Sequence, residues 1–259
     1  MFSYFKSFTP LAKISLTFIS SITGISLYRP TLEKISNILY KHNQNYIYKK
    51  LPKRIFLVRH GESEGNVYPS LYEQIPDNKL KLTKKGHAQA LKAGKELKKM
   101  IKNESVKFVV SPYRRTYETY LGIVKSFQSN KKATEIEYKI REQEFGNLNK
   151  IDDKIYQDRV FIGRFYYRFL NGENGADCLN RVSNFLESMY LKVQNKNNQF
   201  QNYIIVSHGI IMRVFLMKML DMSIEQYQKI ALPDNCKIWI LEKGENGKYK
   251  LVSKIKYMH

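Results

Sequence analysis

The sequence is poor in acidic residues and in cysteine. Of its 259 residues only 23 are Asp or Glu, against 44 Lys or Arg, so the formal net charge is +21. This imbalance suits an anionic partner, such as a phosphate ester, a nucleic acid or an acidic lipid, without choosing among them. The two cysteines, Cys178 and Cys236, lie far apart and neither belongs to a CxxC pair. That spacing argues against a disulfide framework and against a cysteine zinc site.

Long apolar runs are also missing. Residues 14–28 carry no charge, but the run has only 15 residues and is rich in Ser and Thr, whereas a membrane-spanning helix needs about 20 apolar residues. Apolar side chains recur here at helical steps of three and four. We therefore predict an N-terminal helix within a separate segment, residues 1–50, which ends in a polar linker over 40–50. The main domain is predicted over 51–259.

The N-terminal segment has the composition of a targeting or anchoring sequence. Lys6, Lys13 and Arg29 precede the first acidic residue, Glu33, and hydroxyl residues are frequent. These traits are typical of mitochondrial leaders, and a basic interfacial helix would also bind anionic lipid. We expect a mitochondrial, membrane-associated protein whose residues 1–30 contact the membrane or a membrane complex. Secretory-pathway anchoring is the second interpretation, and a cytosolic protein with this helix packed on its domain is the third.

From Lys53 onward, apolar strand patterns alternate with helical patterns. Hydrophobic residues make up 43% of the chain, which excludes a disordered protein. Alternation of this kind predicts an α/β fold with a mostly parallel central sheet and helices on both faces. Strands are predicted over 55–58, 106–110, 134–138, 203–206, 237–242 and 249–255, and helices over 83–100, 113–127, 176–193 and 210–220.

Histidine is scarce, and two of the five histidines share one setting. His60 and His208 each follow an apolar strand and precede a glycine, and arginines lie beside the first histidine and after the strand over 106–110. The carboxyl ends of parallel strands meet at one edge of a sheet, where ligands bind. A single histidine there is as often structural as functional. Two histidines with several arginines predict a cationic pocket for a phosphoryl group.

Several separated motifs resemble those of one family. They are RHGESEGN (59–66), LTKKGHAQA (82–90), SPYRRTYET (111–119), REQEFGN (141–147) and VSHGIIMRVFL (206–216). In this order they resemble the histidine phosphatase superfamily, also called the phosphoglycerate mutase-like family, and within it most resemble a plant and fungal branch of broad-range acid phosphatases. The resemblance spans about residues 53–257 and implies a phosphoglycerate mutase-like fold.

The resemblance also implies roles for individual residues. His60 would be the nucleophile that forms a phosphohistidine, and Glu142 the general acid and then the general base. The remaining implied contacts to phosphate and substrate are Arg59, Arg115, His208, Asn66, Ser63, Gly209, Arg114 and Glu173. The family uses no metal and no cofactor in this chemistry, because arginines and a second histidine supply the positive charge.

The expected function is hydrolysis of small phosphate esters. Phosphoglycerate mutase-type transfer is the first alternative, but mutases of this family carry a longer insertion than the 66 positions that separate Glu142 from His208 here. The second alternative is an accessory subunit of a membrane-bound, mitochondrial assembly with a retained or idle phosphatase site. Asn174 and Ile210 depart from the family pattern and leave the ester unidentified. No nucleic-acid partner is expected, because the lysine runs lack a recognition motif.

Overall fold

The computed structural model describes residues 48–146, 153–245 and 247–258, together with Lys34, Ser36 and Asn37. The chain divides into two compact units, Met1–Leu51 and Pro52–His259. The predicted N-terminal helix and its membrane contact lie almost wholly outside the described residues and stay predictions. Of the predicted linker the structure describes residues 48–50, which are helical. Within the described ranges, no helix combines the length and apolar character needed to cross a bilayer.

The main unit is built on a six-stranded sheet. Its strands are β1 (Arg54–Arg59), β2 (Val106–Val110), β3 (Lys132–Ile136), β4 (Asn202–Ser207), β5 (Ile238–Lys243) and β6 (Tyr249–Leu251). In space they follow the order β3-β2-β4-β1-β5-β6. The strands β1 to β4 are parallel, whereas β5 runs antiparallel to β1 and β6 antiparallel to β5. The predicted mostly parallel sheet is confirmed. β6 is shorter than predicted, because its regular ladder with β5 spans Tyr249–Leu251.

Helices connect the strands. In the described residues they are α1 (Glu64–Val67), α2 (Lys84–Ile101), α3 (Arg114–Val124), α4 (Asp153–Ile162), α5 (Gly175–Lys192), α6 (Gly209–Met219) and α7 (Ile224–Lys229). Two short 3-10 helices, Pro69–Glu73 and Asp77–Lys79, follow α1. The four helices predicted for the main domain are found within a few residues of their expected ends. α4 was not predicted, because its apolar residues do not gather on one face.

Both faces of the sheet are buried. Phe56, Phe108 and Ile204 face one core, where Leu97 of α2 and Ile123 of α3 pack against them. The intervening residues of the central strands are buried as well, and on that face Val109 and Tyr203 lie beside Phe185 and Met189 of α5. Burial on both faces explains why these strands read as continuous apolar runs.

One edge of the sheet is charged. On the edge strand β3, residues alternate between exposed and half-buried positions. The side chain of Glu135 on this strand forms an ion pair with Lys107 of β2 at 2.7 Å, and a second ion pair with Lys192 of α5. The Lys107 side chain is almost fully buried, at 7% exposure. The pairing therefore places a compensated charge network beside β3.

The start of α2 holds the loop that follows β1. Thr83 caps the helix, since its Oγ1 accepts a hydrogen bond from the amide of Gly86 at 3.0 Å. Gln89, one turn further on, accepts from the amide of Glu62 at 2.8 Å. The backbones of Gly61 and Gly86 touch, so that a Cβ on Gly61 would lie 2.6 Å from the Gly86 carbonyl oxygen. The helix start and the loop therefore form one rigid unit that carries His60.

We predict that Gly86→Ala destabilises the protein by about 1–3 kcal/mol, the usual cost of overpacking. The added methyl would overlap the carbonyl oxygen of Glu62, and this outweighs the higher helix propensity of alanine. Thermal unfolding followed by circular dichroism measures the effect. Lys92→Ala, at an exposed position of the same helix, is the control. Equal stability of the two variants would show that the loop moves away freely.

Candidate active site

His60 lies at the carboxyl end of β1 with 3% of its surface exposed. Its Nδ1 is 2.7 Å from the carbonyl oxygen of Gly61; a proton on Nδ1 satisfies that oxygen and leaves Nε2 with a free lone pair. Burial lowers the pKa of His60 well below its ordinary value, and the charges of Arg115 and Arg59 lower it further. The ring is therefore neutral at physiological pH and able to act as a nucleophile.

His208 follows β4 and faces His60, with 5.4 Å between the ring centroids. Its Nε2 lies 2.7 Å from Oγ of Ser111, at the end of β2. Burial, followed by the charge of Arg115, lowers the pKa of His208 well below its ordinary value. Its buried Nδ1 has no hydrogen-bond partner among the described residues. If the Ser111 hydroxyl donates to Nε2, this Nδ1 carries the proton and is available to donate to a ligand oxygen.

Two guanidinium groups, that of the half-buried Arg59 and that of the buried Arg115, adjoin the histidines. Arg59 donates from Nη1 to the carbonyl oxygen of Pro233 at 2.6 Å. Arg115, at the start of α3, is 3% exposed and stacks on the ring of Tyr113 at 4.9 Å. The Nε of each arginine is buried without a partner among the described residues. Buried donors of this kind fit a ligand that brings several acceptor oxygens, as a phosphoryl group does.

Arg115 also forms an ion pair that the sequence motifs did not predict. Its Nη1 donates to Oδ1 of Asp77 at 2.6 Å and to the main-chain oxygen of Asp77 at 2.7 Å, and its Nη2 donates to Oδ2 at 3.3 Å. Asp77 belongs to the 3-10 segment between α1 and α2. Tyr72, from the same segment, lies close enough to interact electrostatically with Arg115, and burial raises the pKa of its hydroxyl.

Glu142 lies in the loop after β3 and faces the same pocket. Burial raises the pKa of its carboxyl to about 7; Arg115 and Arg59 oppose this rise, whereas Asp77 adds to it. Its Oε1 accepts a hydrogen bond from the amide of Gln143 at 3.1 Å. A carboxyl group with a pKa near neutrality can donate a proton in one step and accept one in the next.

Glu173, which was predicted to contact the substrate, is paired with arginines of the same chain in this structure. Its carboxylate accepts from Arg181 at 2.7 and 2.8 Å and from Arg141 at 2.8 Å. Arg181 also donates to the carbonyl oxygens of Lys139 and Arg141. The ion pair therefore holds the loop that carries Glu142, and Glu173 is a positioning residue in this structure.

Arg181 was not predicted as part of the site. A signal existed in the sequence, because this arginine interrupts the buried stripe of α5 between Cys178 and Val182. An arginine at such a position needs a buried anion to compensate its charge, and Glu173 supplies that anion.

The other predicted residues occupy different settings. Asn66 Oδ1 accepts from the amide of Ser63 and from Nδ2 of Asn235, both at 3.1 Å. Ser63 is fully buried and its Oγ lacks a partner among the described residues. Gly209 begins α6, where a Cβ would lie 3.6 Å from Nε of Arg59. Asn235 also donates to the main-chain oxygen of His60 at 3.2 Å, and no motif indicated it.

Arg114 differs from the predicted substrate contact as well. Its side chain is half exposed, and its Nε donates to Glu118 one turn along α3 at 2.8 Å. The next residue, Arg115, points inward because successive residues of a helix face different directions. Over the described part of the chain, no three His, Cys, Asp or Glu side chains are grouped so as to hold a metal ion.

The family model of the Histidine phosphatase superfamily (branch 1) matches residues 55–254. This chain belongs to that superfamily and is an enzyme. A phosphoglycerate mutase-like protein of Arabidopsis thaliana is 40% identical over 220 residues, which cover 78% of each chain. The broad-range acid phosphatase of Saccharomyces cerevisiae is 26% identical over an alignment covering 75% of this chain and 86% of the yeast protein.

Solved structures share the fold. A putative alpha-ribazole-5'-P phosphatase of Escherichia coli superposes with a TM-score of 0.61 at 19% identity, over 80% of this chain and 97% of the other. A mycobacterial glucosyl-3-phosphoglycerate phosphatase superposes with the same TM-score at 16% identity, over 79% of this chain and 99% of the other. At these identities the likeness concerns the fold, and it confirms the predicted architecture.

We predict that Arg115→Ala lowers kcat/KM for a phosphate ester about 100- to 1,000-fold. Removing one preorganised donor usually costs about 2.7–4 kcal/mol of transition-state stabilisation, which corresponds to this loss. Arg114→Ala is the matched control, because its charge is paired with Glu118 at the surface. Steady-state kinetics of both variants measures the difference. Similar losses in the two variants would place the wrong arginine in the pocket.

The raised pKa of Glu142 predicts a pH dependence. An acid with a pKa of about 7 is protonated below pH 7, so kcat/KM for an alkyl phosphate should fall up to tenfold per pH unit above that value. The ester's own second ionisation, near pH 6, is complete in that range. Glu142→Gln should be slow and lack this decline, and it should lose less activity with a nitrophenyl ester. A decline of equal size in the variant would assign the ionisation to another group.

Proposed function

We propose that the protein is a phosphomonoesterase that hydrolyses small phosphate esters through a phosphohistidine on His60. The observation that carries the proposal is the neutral, buried His60 ring, whose Nδ1 is fixed on the Gly61 carbonyl oxygen beside two arginines and a carboxyl group with a pKa of about 7. A nucleophile, cationic donors and a proton donor are the three parts that phosphoryl transfer needs.

In the first step, Nε2 of His60 attacks the phosphorus atom in line with the ester oxygen. The P–N bond forms, the P–O bond breaks, and the proton of Glu142 moves to the departing alkoxide, which leaves as an alcohol. Arg59, Arg115 and His208 would donate to the three equatorial oxygens, where negative charge accumulates. Both guanidinium groups already lie beside the histidines, so the positive charge is in place before the phosphoryl group arrives.

In the second step, water attacks the phosphohistidine. The Glu142 carboxylate takes a proton from this water, the new P–O bond forms and the P–N bond breaks, and His60 returns to its neutral form as phosphate leaves. The same carboxyl group thus ends the cycle protonated. A mutase would return the phosphoryl group to a second hydroxyl instead, and it would have to exclude water between the two steps.

The chain is similar both to phosphatases and to mutases. A 2,3-bisphosphoglycerate-dependent phosphoglycerate mutase of Bartonella bacilliformis is 29% identical over 181 residues, which cover 67% of this chain and 84% of the mutase. The short interval between Glu142 and His208 and the similarity to the yeast broad-range acid phosphatase favour hydrolysis of varied esters.

The test is a panel of phosphate esters assayed with the full chain for phosphate release, beside a mutase assay with and without 2,3-bisphosphoglycerate. We expect release from several esters without any added cofactor. His60→Ala should lose at least 90% of this activity together with acid-labile phosphate labelling, because the nucleophile is gone. His87→Ala, which removes an exposed histidine of α2, should retain both.

Three outcomes would contradict the proposal. Turnover in the mutase assay alone would assign phosphoryl transfer to an acceptor hydroxyl. Absence of turnover in both assays, in a protein that unfolds cooperatively, would favour an idle site in an accessory subunit. Activity retained in His60→Ala would exclude His60 as the nucleophile.

A further inference from the structure

Arg115, which the proposed reaction needs for substrate, is already bound to a carboxylate of the same chain. Asp77 accepts from Arg115 through both carboxylate oxygens and through its main-chain oxygen, at 2.6, 3.3 and 2.7 Å. This forked pairing is the geometry in which arginine also binds a phosphoryl group. The Asp77 carboxylate and a substrate phosphate would therefore compete for the same donors.

The segment that carries Asp77 is suited to move. It comprises two 3-10 helices, Pro69–Glu73 and Asp77–Lys79, and every residue of both helices is at least partly exposed. The Asp77 side chain is 28% exposed, whereas that of Arg115 is 3% exposed. At the end of the segment, Leu80 is fully buried. Asp77 can thus turn toward solvent without unpacking the core, while Arg115 cannot leave the pocket.

We propose that Asp77 is an internal competitor for Arg115, which substrate phosphate displaces and which returns as product phosphate leaves. The inference rests on the proposed function, since it assumes that Arg115 binds phosphate. In the empty site Asp77 compensates a buried cation, which would otherwise be costly. Because its displacement lowers the apparent affinity for every phosphate ligand, Asp77 also limits inhibition by the product.

A phosphate ligand can win this competition for two reasons. A phosphate monoester carries nearly two negative charges and three acceptor oxygens, whereas Asp77 offers one charge and two carboxylate oxygens. Moreover, the ligand can reach donors that Asp77 leaves unsatisfied, since Nε of Arg59, Nε of Arg115 and Nδ1 of His208 have no partner among the described residues. The competitor is therefore strong enough to hold Arg115 and weak enough to yield.

The experiment titrates inorganic phosphate into the full chain by calorimetry and measures phosphate as a product inhibitor. Asp77→Asn keeps the shape of the side chain and removes its charge. Closed sites of this kind open in about 0.1–10% of molecules, so Kd and the inhibition constant for phosphate should fall about tenfold or more. KM for an ester should fall with them and kcat should change less. Glu73→Gln, an exposed acid of the same segment, should leave KM and Kd unchanged.

Thermal unfolding separates this role from simple support of the fold. Without phosphate, Asp77→Asn should unfold at a lower temperature than the wild type, because Arg115 loses its anion. Phosphate should raise the unfolding temperature of the variant more than that of the wild type, as tighter binding requires. If Asp77→Asn does not fold, Asp77→Ala is used in the same measurements.

The results also separate the two proposals. An unchanged or raised Kd in both Asp77 variants would overturn the competition, and so would a failure of either variant to bind phosphate. Tighter phosphate binding in a protein that hydrolyses no ester would support the competition and contradict the proposed function. Normal ester hydrolysis, with the same Kd for phosphate in Asp77→Asn as in the wild type, would support the proposed function and contradict the competition.

Discussion

The hydrogen bond between His60 Nδ1 and the Gly61 carbonyl oxygen is the interaction on which the site depends. It joins a side chain to the backbone of the next residue, so the position of the loop sets the preferred orientation of the ring. The loop in turn is held by the start of α2, where Gly61 and Gly86 touch and Gln89 binds the amide of Glu62. A helix more than twenty residues away in the sequence thus orients the lone pair of Nε2.

Electrostatics makes that lone pair available. Two guanidinium groups lie near two buried imidazoles, and arginine keeps its proton under conditions where histidine gives it up. Burial, reinforced by the charges of Arg115 and Arg59, lowers the pKa of both histidines, while burial lifts the pKa of Glu142 to about 7. One pocket thereby holds neutral histidines beside a carboxyl group that is half protonated near pH 7. In water a glutamate would be almost wholly ionised at that pH.

The residues at strand ends could be predicted, and the residues that support them could not. The apolar composition of the central strands predicts that they are buried, and parallel pairing brings their carboxyl ends together. The residues at or after these ends are His60, His208, Arg59 and Arg115. Glu142 came from a motif resemblance, since nothing in its local spacing marks a proton donor. Asp77, Arg181 and Asn235 act through contacts with residues distant in the sequence. Such pairings depend on tertiary structure, which local patterns do not encode.

The dependence on tertiary structure also explains why Arg114 and Glu173 are placed differently from the prediction. Arg114 and Arg115 are adjacent residues of the same type. The orientation of α3 exposes the Arg114 side chain to solvent and buries that of Arg115. The family resemblance implies a substrate contact for Glu173, yet Arg181 of the next helix pairs with its carboxylate at 2.7 Å. A sequence motif therefore identifies a neighbourhood, and the packing of helices decides which members face the ligand.

The charged edge at β3 has a consequence for how copies of the protein meet. An edge strand exposes unpaired backbone groups to which a strand from another molecule can add. Here the alternately exposed strand carries Glu135, which is already paired with Lys107 and Lys192. Charged side chains on an edge strand disfavour the addition of a further strand. The composition of β3 therefore makes this side of the sheet a poor template for edge-to-edge pairing.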